Sequence, residues 1–547
     1  MLKIFTLKFS LSFILLLCGL NSHAQNTVGT TLYDAAAQSG YTLFSPIGGF
    51  QTYLIDNCGR EINSWTSNYT PGLSAFLMAD GDLLRSARIN NPNLSIGGLG
   101  GRLERYNWAG NLVWLYEHSS PFYSQHHDFE ILPNGNILIL VAEVKNFNDM
   151  VAVGRDTNIS NEVVLWTESI LEIEPVGLNG ANIVWEWHVW DHLVQDLDSS
   201  KPNFANPVDR PERMNINYIG SSSSRDWLHG NSIAYNPILD QIAISFRTTN
   251  EIWIIDHSTS SAEAADSIGG IYGKGGDILY RWGQPATYGA TGPQQLFGQH
   301  DIHWIADSLP GAGNLLCFNN GDITGTSSAD EFSPPIDSPG YYTQPMVGTA
   351  FGPLTTTWSY SDTLDPIFFS GRLSSAQRLA NGNTLICSGA NGYFVEVDNN
   401  KNKVWTYRNP ASSTGITSQG SAATNGTNSV FHCIRYSPDF VGFIGKDMTP
   451  GDPIELNFNL NLCLTPTHKL SIQHNPPNIY PNPATERINI DANIPIYEYK
   501  IIDVLGQTQD SKKISPATQI QIDVTLLPIG TYFLELNRQY ISKIIIN

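Results

Sequence analysis

The chain has 547 residues, enough for one large domain and a smaller one. A formal charge of −20, with only 15% charged and 11% aromatic residues, excludes an electrostatic nucleic-acid binder and suits an exported protein that meets aromatic or carbohydrate ligands.

Residues 1–24 read as a secretory leader. Two lysines precede an apolar run from Phe9 to Leu20, and "SHA" at Ala24 supplies the cleavage signal. The run is too short to span a membrane, so no transmembrane segment is expected after its removal. Beyond Cys18 in the leader, Cys58, Cys317, Cys387, Cys433 and Cys463 form an odd set, so at most two disulfides can form. No C-x-x-C pair suggests zinc.

The next 430 or so residues show no long amphipathic helix, only short alternating runs broken by Asn, Gly, Asp and Pro, which is an all-β pattern. An aromatic strand recurs at Trp65, Trp114, Trp185, Trp282, Trp358 and Trp405. A strand, Gly/Asn turn and returning strand recur in "FLMADGDLLRSA", "FEILPNGNILIL", "IAYNPILDQIAISF", "IADSLPGAGNLLCF" and "AQRLANGNTLICSG", and each predicts a hairpin. Imperfect multi-strand repeats of about 40 to 50 residues indicate a β-propeller, here of six blades. Strands near Val430 to Phe443 are needed to close the ring, and Asn146–Asn161 and Gly321–Thr357 read as loop insertions.

The tail from about residue 475 contains "IYPNPATERINI", "EYKIIDVLGQ", "LPIGTYFLEL" and "ISKIIIN", enough strands for a small β-sandwich. It resembles the C-terminal sorting domain that takes Bacteroidetes proteins through the type IX secretion system. The expected organisation is a leader (1–24), a propeller (25–460), a linker (461–474) and a sorting domain (475–547). The resemblance implies the type IX machinery as partner and a secreted or cell-surface location, reached through the periplasm.

Three histidines open inner strands of different repeats: His127 in "HDFEIL", His229 in "HGNSIAY" and His300 in "HDIHWI". In a propeller such positions meet only at the axis. The strand "IAISFR" returns antiparallel and brings Arg247 beside His229 and Asn231. Imidazoles, an amide and a guanidinium around one cavity suit a tetrahedral oxyanion, because the guanidinium fork matches sulfate or phosphate oxygens. No metal is expected, since Arg247 would repel a cation and no H-E-x-x-H spacing is present. His188 and His192 read as structural or substrate-loop residues, His303 as packed between blades on the face opposite His300, and Asp128 and Asp301 as partners of backbone or neighbouring-blade groups.

The segments "HHDFEILPNGN", "DWLHGNSI" followed by Arg247, "GQHDIHWI" and "LANGNTLICSG" are similar to those of bacterial arylsulfate sulfotransferases, over roughly Gly40 to Tyr436. The resemblance implies a six-bladed propeller that moves a sulfuryl group from a phenolic sulfate donor to a phenolic acceptor. It implies no cofactor, no PAPS and a sulfohistidine intermediate. By position His300 is the implied nucleophile, His229, Asn231 and Arg247 hold the sulfuryl oxygens, and His127 is the acid–base partner. The family's hydroxyl-bearing residue has only Ser374 or Ser375 as counterparts, and no N-terminal dimerising domain is visible. A phenol leaves with a pKa of about 10, so displacement by histidine is feasible at neutral pH if the oxygens are stabilised. A sulfate-ester hydrolase on the same fold and a non-catalytic propeller binding aromatic or sulfated glycans are the alternatives.

Overall fold

The computed structural model describes residues 26–547 apart from 160–161, 220–224, 322, 422–425, 465–476, 504–507 and 538–539, and divides into two compact units at Leu464/Thr465. The leader expected at residues 1–24 lies outside the described residues. In the first unit, six antiparallel sheets of at least four strands stand around one axis, a six-bladed propeller. Its inner strands are Pro71–Leu77, Tyr123–Ile131, Gly230–Asn236, His300–Trp304, Ser375–Arg378 and Val430–Tyr436, each adjoining the next.

Segments from both ends of the first unit close the ring. Val430–Tyr436 is the inner strand of blade 1, paired with Tyr41–Pro46, and Gly29–Tyr33 is added as an outermost strand to blade 6. The hairpin phrase recurs only five times because the sixth inner hairpin is assembled from these two distant segments. The aromatic strand recurs six times because it is the fourth strand of every blade. Its tryptophans brace successive blades: Trp65 Nε1 donates to Asn107 O (2.9 Å), Trp114 to Gly180 O (3.0 Å) and Trp405 to Asn57 O (2.7 Å). A buried indole N–H needs such a partner.

The inner strands share a second device. Register breaks at Pro71/Ala75, Gln125/Phe129, Gly230/Ser232 and His300/His303, all toward one rim. Leu73, His127, His229 and Asp301 there adopt positive φ, between 51° and 109°. Such β-bulges cost about 1 kcal/mol or more of backbone strain each. Bonds to the next blade offset it. Asp128 accepts from Ile233 N (3.1 Å), Ser232 from Ile302 N (2.9 Å) and Asp301 from Ala376 N (2.8 Å). Asp128 and Asp301 thus make the neighbouring-blade bonds expected of them.

Two readings need correction. His303 does not pack between blades; it lines an axial cavity of about 160 Å³ with Asp128, Glu130, Asp301 and His432. Strict alternation would place it opposite His300, but the bulge at Asp301 inserts a residue and returns it to the axis. Nor is Gly321–Thr357 wholly an insertion, because Ser328–Phe332 within it is the third strand of blade 5. Insertion 146–161 carries a short helix, Phe147–Ala152, started by a capping box from Asn146 and Asp149. A disulfide joins Cys58 to Cys463, while Cys317, Cys387 and Cys433 are free and buried.

The second unit is a small all-β domain. The long strand Arg487–Asp503 pairs with Thr508–Asp523 on one side and with Asn478–Tyr480 and Gly530–Leu536 on the other, and Tyr540–Ile546 completes the sheet. Ile488, Ile490, Ile501, Ile522, Leu534 and Ile544 form its core.

The axial carboxyls yield a test. Burial, with Asp128 beside it, pushes Glu130 up from an ordinary 4.5 to about 8. A carboxyl raised on folding contributes stability that is full below its unfolded pKa and lost as pH rises through the folded one. Glu130→Gln stays neutral, so its melting temperature relative to wild type should climb between about pH 5 and pH 9. A difference that stays flat across that range would contradict a titrating Glu130.

Candidate active site

The bulges aim His127, His229 and His300 at one another. The His127 and His229 rings lie 4.8 Å apart, edge to face. Phe431, fully buried on the inner strand of blade 1, stands 6.0 Å from His127 and 6.1 Å from His300 as a shared apolar floor. Arg247 follows the second strand of blade 4, and its N–H donates to His229 O (3.0 Å), the antiparallel return expected of it. Its Nη2 donates to Gly371 O across the axis (3.4 Å).

Each imidazole is held through Nδ1. His300 Nδ1 lies 2.8 Å from Asn320 Oδ1 and 3.0 Å from Gly298 O. Asn320 is oriented by its own donations to Ser370 O (2.7 Å) and Leu373 O (2.9 Å), so both partners of His300 are acceptors. The proton therefore sits on Nδ1 and the lone pair on Nε2. His229 Nδ1 meets Asp226 Oδ2 at 2.7 Å, which fixes the same tautomer. His127 Nδ1 meets His126 Nδ1 at 2.8 Å, and His126 Nε2 meets Glu168 Oε2 at 2.7 Å. With Glu168 accepting, His126 offers a lone pair to His127 Nδ1–H, a carboxylate–imidazole–imidazole relay. Glu168 Oε1 also accepts from Gly230 N (2.8 Å), tying the relay to the His229 bulge.

Burial sets the charge states. His300 is depressed to about 3, first by burial and then by Arg247. Burial also holds His127 well below the usual imidazole range, helped by His229, His126, His300 and Arg247. The free site thus presents His300 and His127 as neutral rings beside the Arg247 guanidinium, a setting that favours an anion. Asn231 is fully buried, and its Nδ2 donates to Gln299 O (2.7 Å), the residue before His300.

Other residues lie outside this ring. His188 is held by Glu143 (2.9 Å), and His192 by Asp277 (2.8 Å) while stacked on Trp187. Ser374 Oγ donates to Ser370 Oγ and accepts from Gly389 N, both at 2.9 Å, so it braces its own loop. Sequence reading missed His126, Glu168, Asp226 and Asn320. Two signals were present: the doubled histidine in "QHHD", and Asn320 at the end of a returning strand, where Arg247 lies in the previous blade.

Residues 51–425 match the family described as arylsulfotransferase (ASST), about two thirds of the chain. The chain belongs to the arylsulfotransferase family. It is a sulfotransferase enzyme. Residues 478–547 match the secretion system C-terminal sorting domain, which marks a secreted or cell-surface protein. Among the described residues no helix is long and apolar enough to cross a membrane. No curated protein shows significant sequence similarity to the chain. Solved structures similar to it include a protein of unknown function from Bacteroides caccae (11% identity, 68% of this chain and 94% of that one, TM-score 0.36). The periplasmic gluconolactonase PpgL of Pseudomonas aeruginosa (11%, 89% and 99%, 0.34) is another. A third is the β-propeller domain of Cps50 (Swd1) from Myceliophteria thermophila (9%, 71% and 86%, 0.32).

Gly98 offers a test of how tightly this sulfotransferase holds its histidines. Its φ is +69°, its carbonyl accepts from His127 N (2.7 Å), and a Cβ there would lie 2.5 Å from His127 Cδ2 and Nε2. Gly98→Ala must displace that imidazole, and misplacement by about 1 Å can cost about 10²-fold. Aryl sulfate turnover should fall by about that factor while the melting temperature shifts by only a few degrees. A wild-type rate would show that the His127 ring does not need this position.

Proposed function

We propose that the propeller moves a sulfuryl group from a phenolic sulfate ester to a phenol by a ping-pong route through a sulfohistidine at His300. The observation that carries this reading is the acceptor pair on His300 Nδ1, which leaves Nε2 as an unprotonated nucleophile. A pKa near 3 means no proton need be removed first at neutral pH.

In the first half-reaction Nε2 attacks sulfur, the S–O(aryl) bond breaks, and His127 protonates the leaving oxygen. Arg247 holds the sulfuryl oxygens, joined by His229 when it carries a second proton and donates from Nε2 while Nδ1–H stays on Asp226. Asn231, whose amide donates to Gln299 O, positions His300 through that backbone instead of holding a sulfuryl oxygen. His127 is neutral in the free site, so it takes a proton from solvent as substrate binds, or keeps the one left by the preceding acceptor: the bound sulfate anion offsets Arg247 and raises the imidazole's proton affinity. The His126–Glu168 relay then stabilises the imidazolium, as a carboxylate behind a catalytic imidazole does. In the second half-reaction the acceptor phenol gives its proton to His127, its oxygen attacks sulfur, and the N–S bond breaks to restore His300. Positioning and electrostatics supply the catalysis, so no nucleotide or cofactor takes part.

Peptide mapping tests the nucleophile. Enzyme exposed to an aryl sulfate without acceptor, mapped under basic conditions, should carry one sulfuryl group on His300, and His300→Asn should lose both label and transfer. Label on His127 or His229 would reassign the roles, and steady release of free sulfate without acceptor would favour the hydrolase.

Glu168→Gln tests the relay. General-acid help is worth about 10²- to 10⁴-fold. The variant should slow transfer by about 10- to 100-fold for donors with poor leaving groups and much less for 4-nitrophenyl sulfate. An equal loss on both would make Glu168 a structural residue only.

A further inference from the structure

Beside the histidines, at the same rim, lies a cavity of about 400 Å³. It borders the site at three places. Gly98, on its wall, accepts from His127 N, and Leu373 O accepts from the Asn320 amide that holds His300. Arg372, also on the wall, follows Gly371, whose carbonyl accepts from Arg247. Leu73, Leu99 and Leu373 give it an apolar lining suited to an aromatic ring, and its size falls within the usual range for small-molecule sites.

Among the described residues that line it, only Arg88 and Arg372 are charged, and both are exposed. Most other arginines of the first unit are committed to carboxylates, among them Arg102 to Glu104 and Glu117, Arg105 to Asp82, Arg378 to Glu331 and Arg435 to Glu396. Arg88 and Arg372 form no ion pair with any described residue. Two uncommitted guanidiniums around an apolar cavity, in a protein of net charge −20, match a ligand that is aromatic and anionic. The transferring sulfuryl group already has Arg247 and the histidines, so the anion these two arginines meet is a second one.

We propose that this cavity holds the ring of the phenolic substrate, and that Arg88 and Arg372 select phenols carrying a further anionic group, a carboxylate or a second sulfate. The assignment rests on the sulfotransferase reading above and goes beyond it in naming the substrate class.

The test varies the acceptor while 4-nitrophenyl sulfate is the fixed donor, so that donor capture is separated from acceptor choice. 4-Hydroxyphenylacetate and its neutral amide differ in charge but scarcely in phenol reactivity, and catechol monosulfate supplies the sulfate-bearing arm. Wild type should favour the carboxylate over the amide by about tenfold or more in kcat/KM, the scale of a charge-assisted contact. In Arg88→Gln/Arg372→Gln the ratio should fall toward one, and added salt should lower it in wild type. Whether catechol monosulfate is preferred over catechol tells a sulfate-bearing phenol from a carboxylated one. A wild-type ratio near one, or a ratio unchanged in the double variant, overturns the proposal. An equal fall for charged and neutral acceptors overturns it too, by making the two arginines steer the donor's own sulfate. Absence of transfer to any phenol overturns the sulfotransferase reading itself, an outcome distinct from loss of the ratio.

Discussion

The molecule depends on one backbone device, the left-handed residue near the start of an inner strand. Without it an inner strand would continue its hydrogen-bond ladder to the rim and point alternate side chains into neighbouring blades. With it the strand turns, His127 and His229 face the axis, and polar side chains beside the bulge capture amides of the next blade. The strain that shapes the site and the bonds that lock blade to blade therefore share residues. Asp301 shows this directly: it has a φ of 60°, follows His300 and accepts from Ala376 of blade 6.

The three imidazoles share a pattern of support. Each has an acceptor on Nδ1, and the acceptors differ: an amide oxygen for His300, a carboxylate for His229 and a second imidazole for His127. In the proposed reaction a neutral acceptor leaves His300 a nucleophile of low proton affinity. A ring backed by Glu168 through His126 is better able to carry charge when an anion is present. One residue type thus serves two chemical ends according to what stands behind it.

Much of this architecture was legible in the sequence. The hairpin phrases and the six tryptophans fall on inner and outer strands, because a propeller repeats the same packing problem in every blade. Arg247 was placed by the geometry of an antiparallel return alone. His303 was misplaced because a two-residue alternation cannot register a bulge that only a positive φ at Asp301 reveals. The third strand at Ser328–Phe332 was lost in a long insertion whose turn residues masked it. Glu168 could not be linked to His126 because they lie on different strands of blade 3, separated by an insertion, and meet only through sheet pairing.

The seam in blade 1 has a consequence for how the ring is made. Tyr41–Pro46 finds its inner partner only in Val430–Tyr436, and Gly29–Tyr33 finds its own only in Lys403–Arg408. Contacts so distant along the chain carry a large loop-closure entropy and form late. Five blades can grow locally, each from its own hairpins, while the first waits with an open edge. Nearly the whole first unit must therefore be in place before blade 1 closes the ring and Phe431 reaches the rings of His127 and His300.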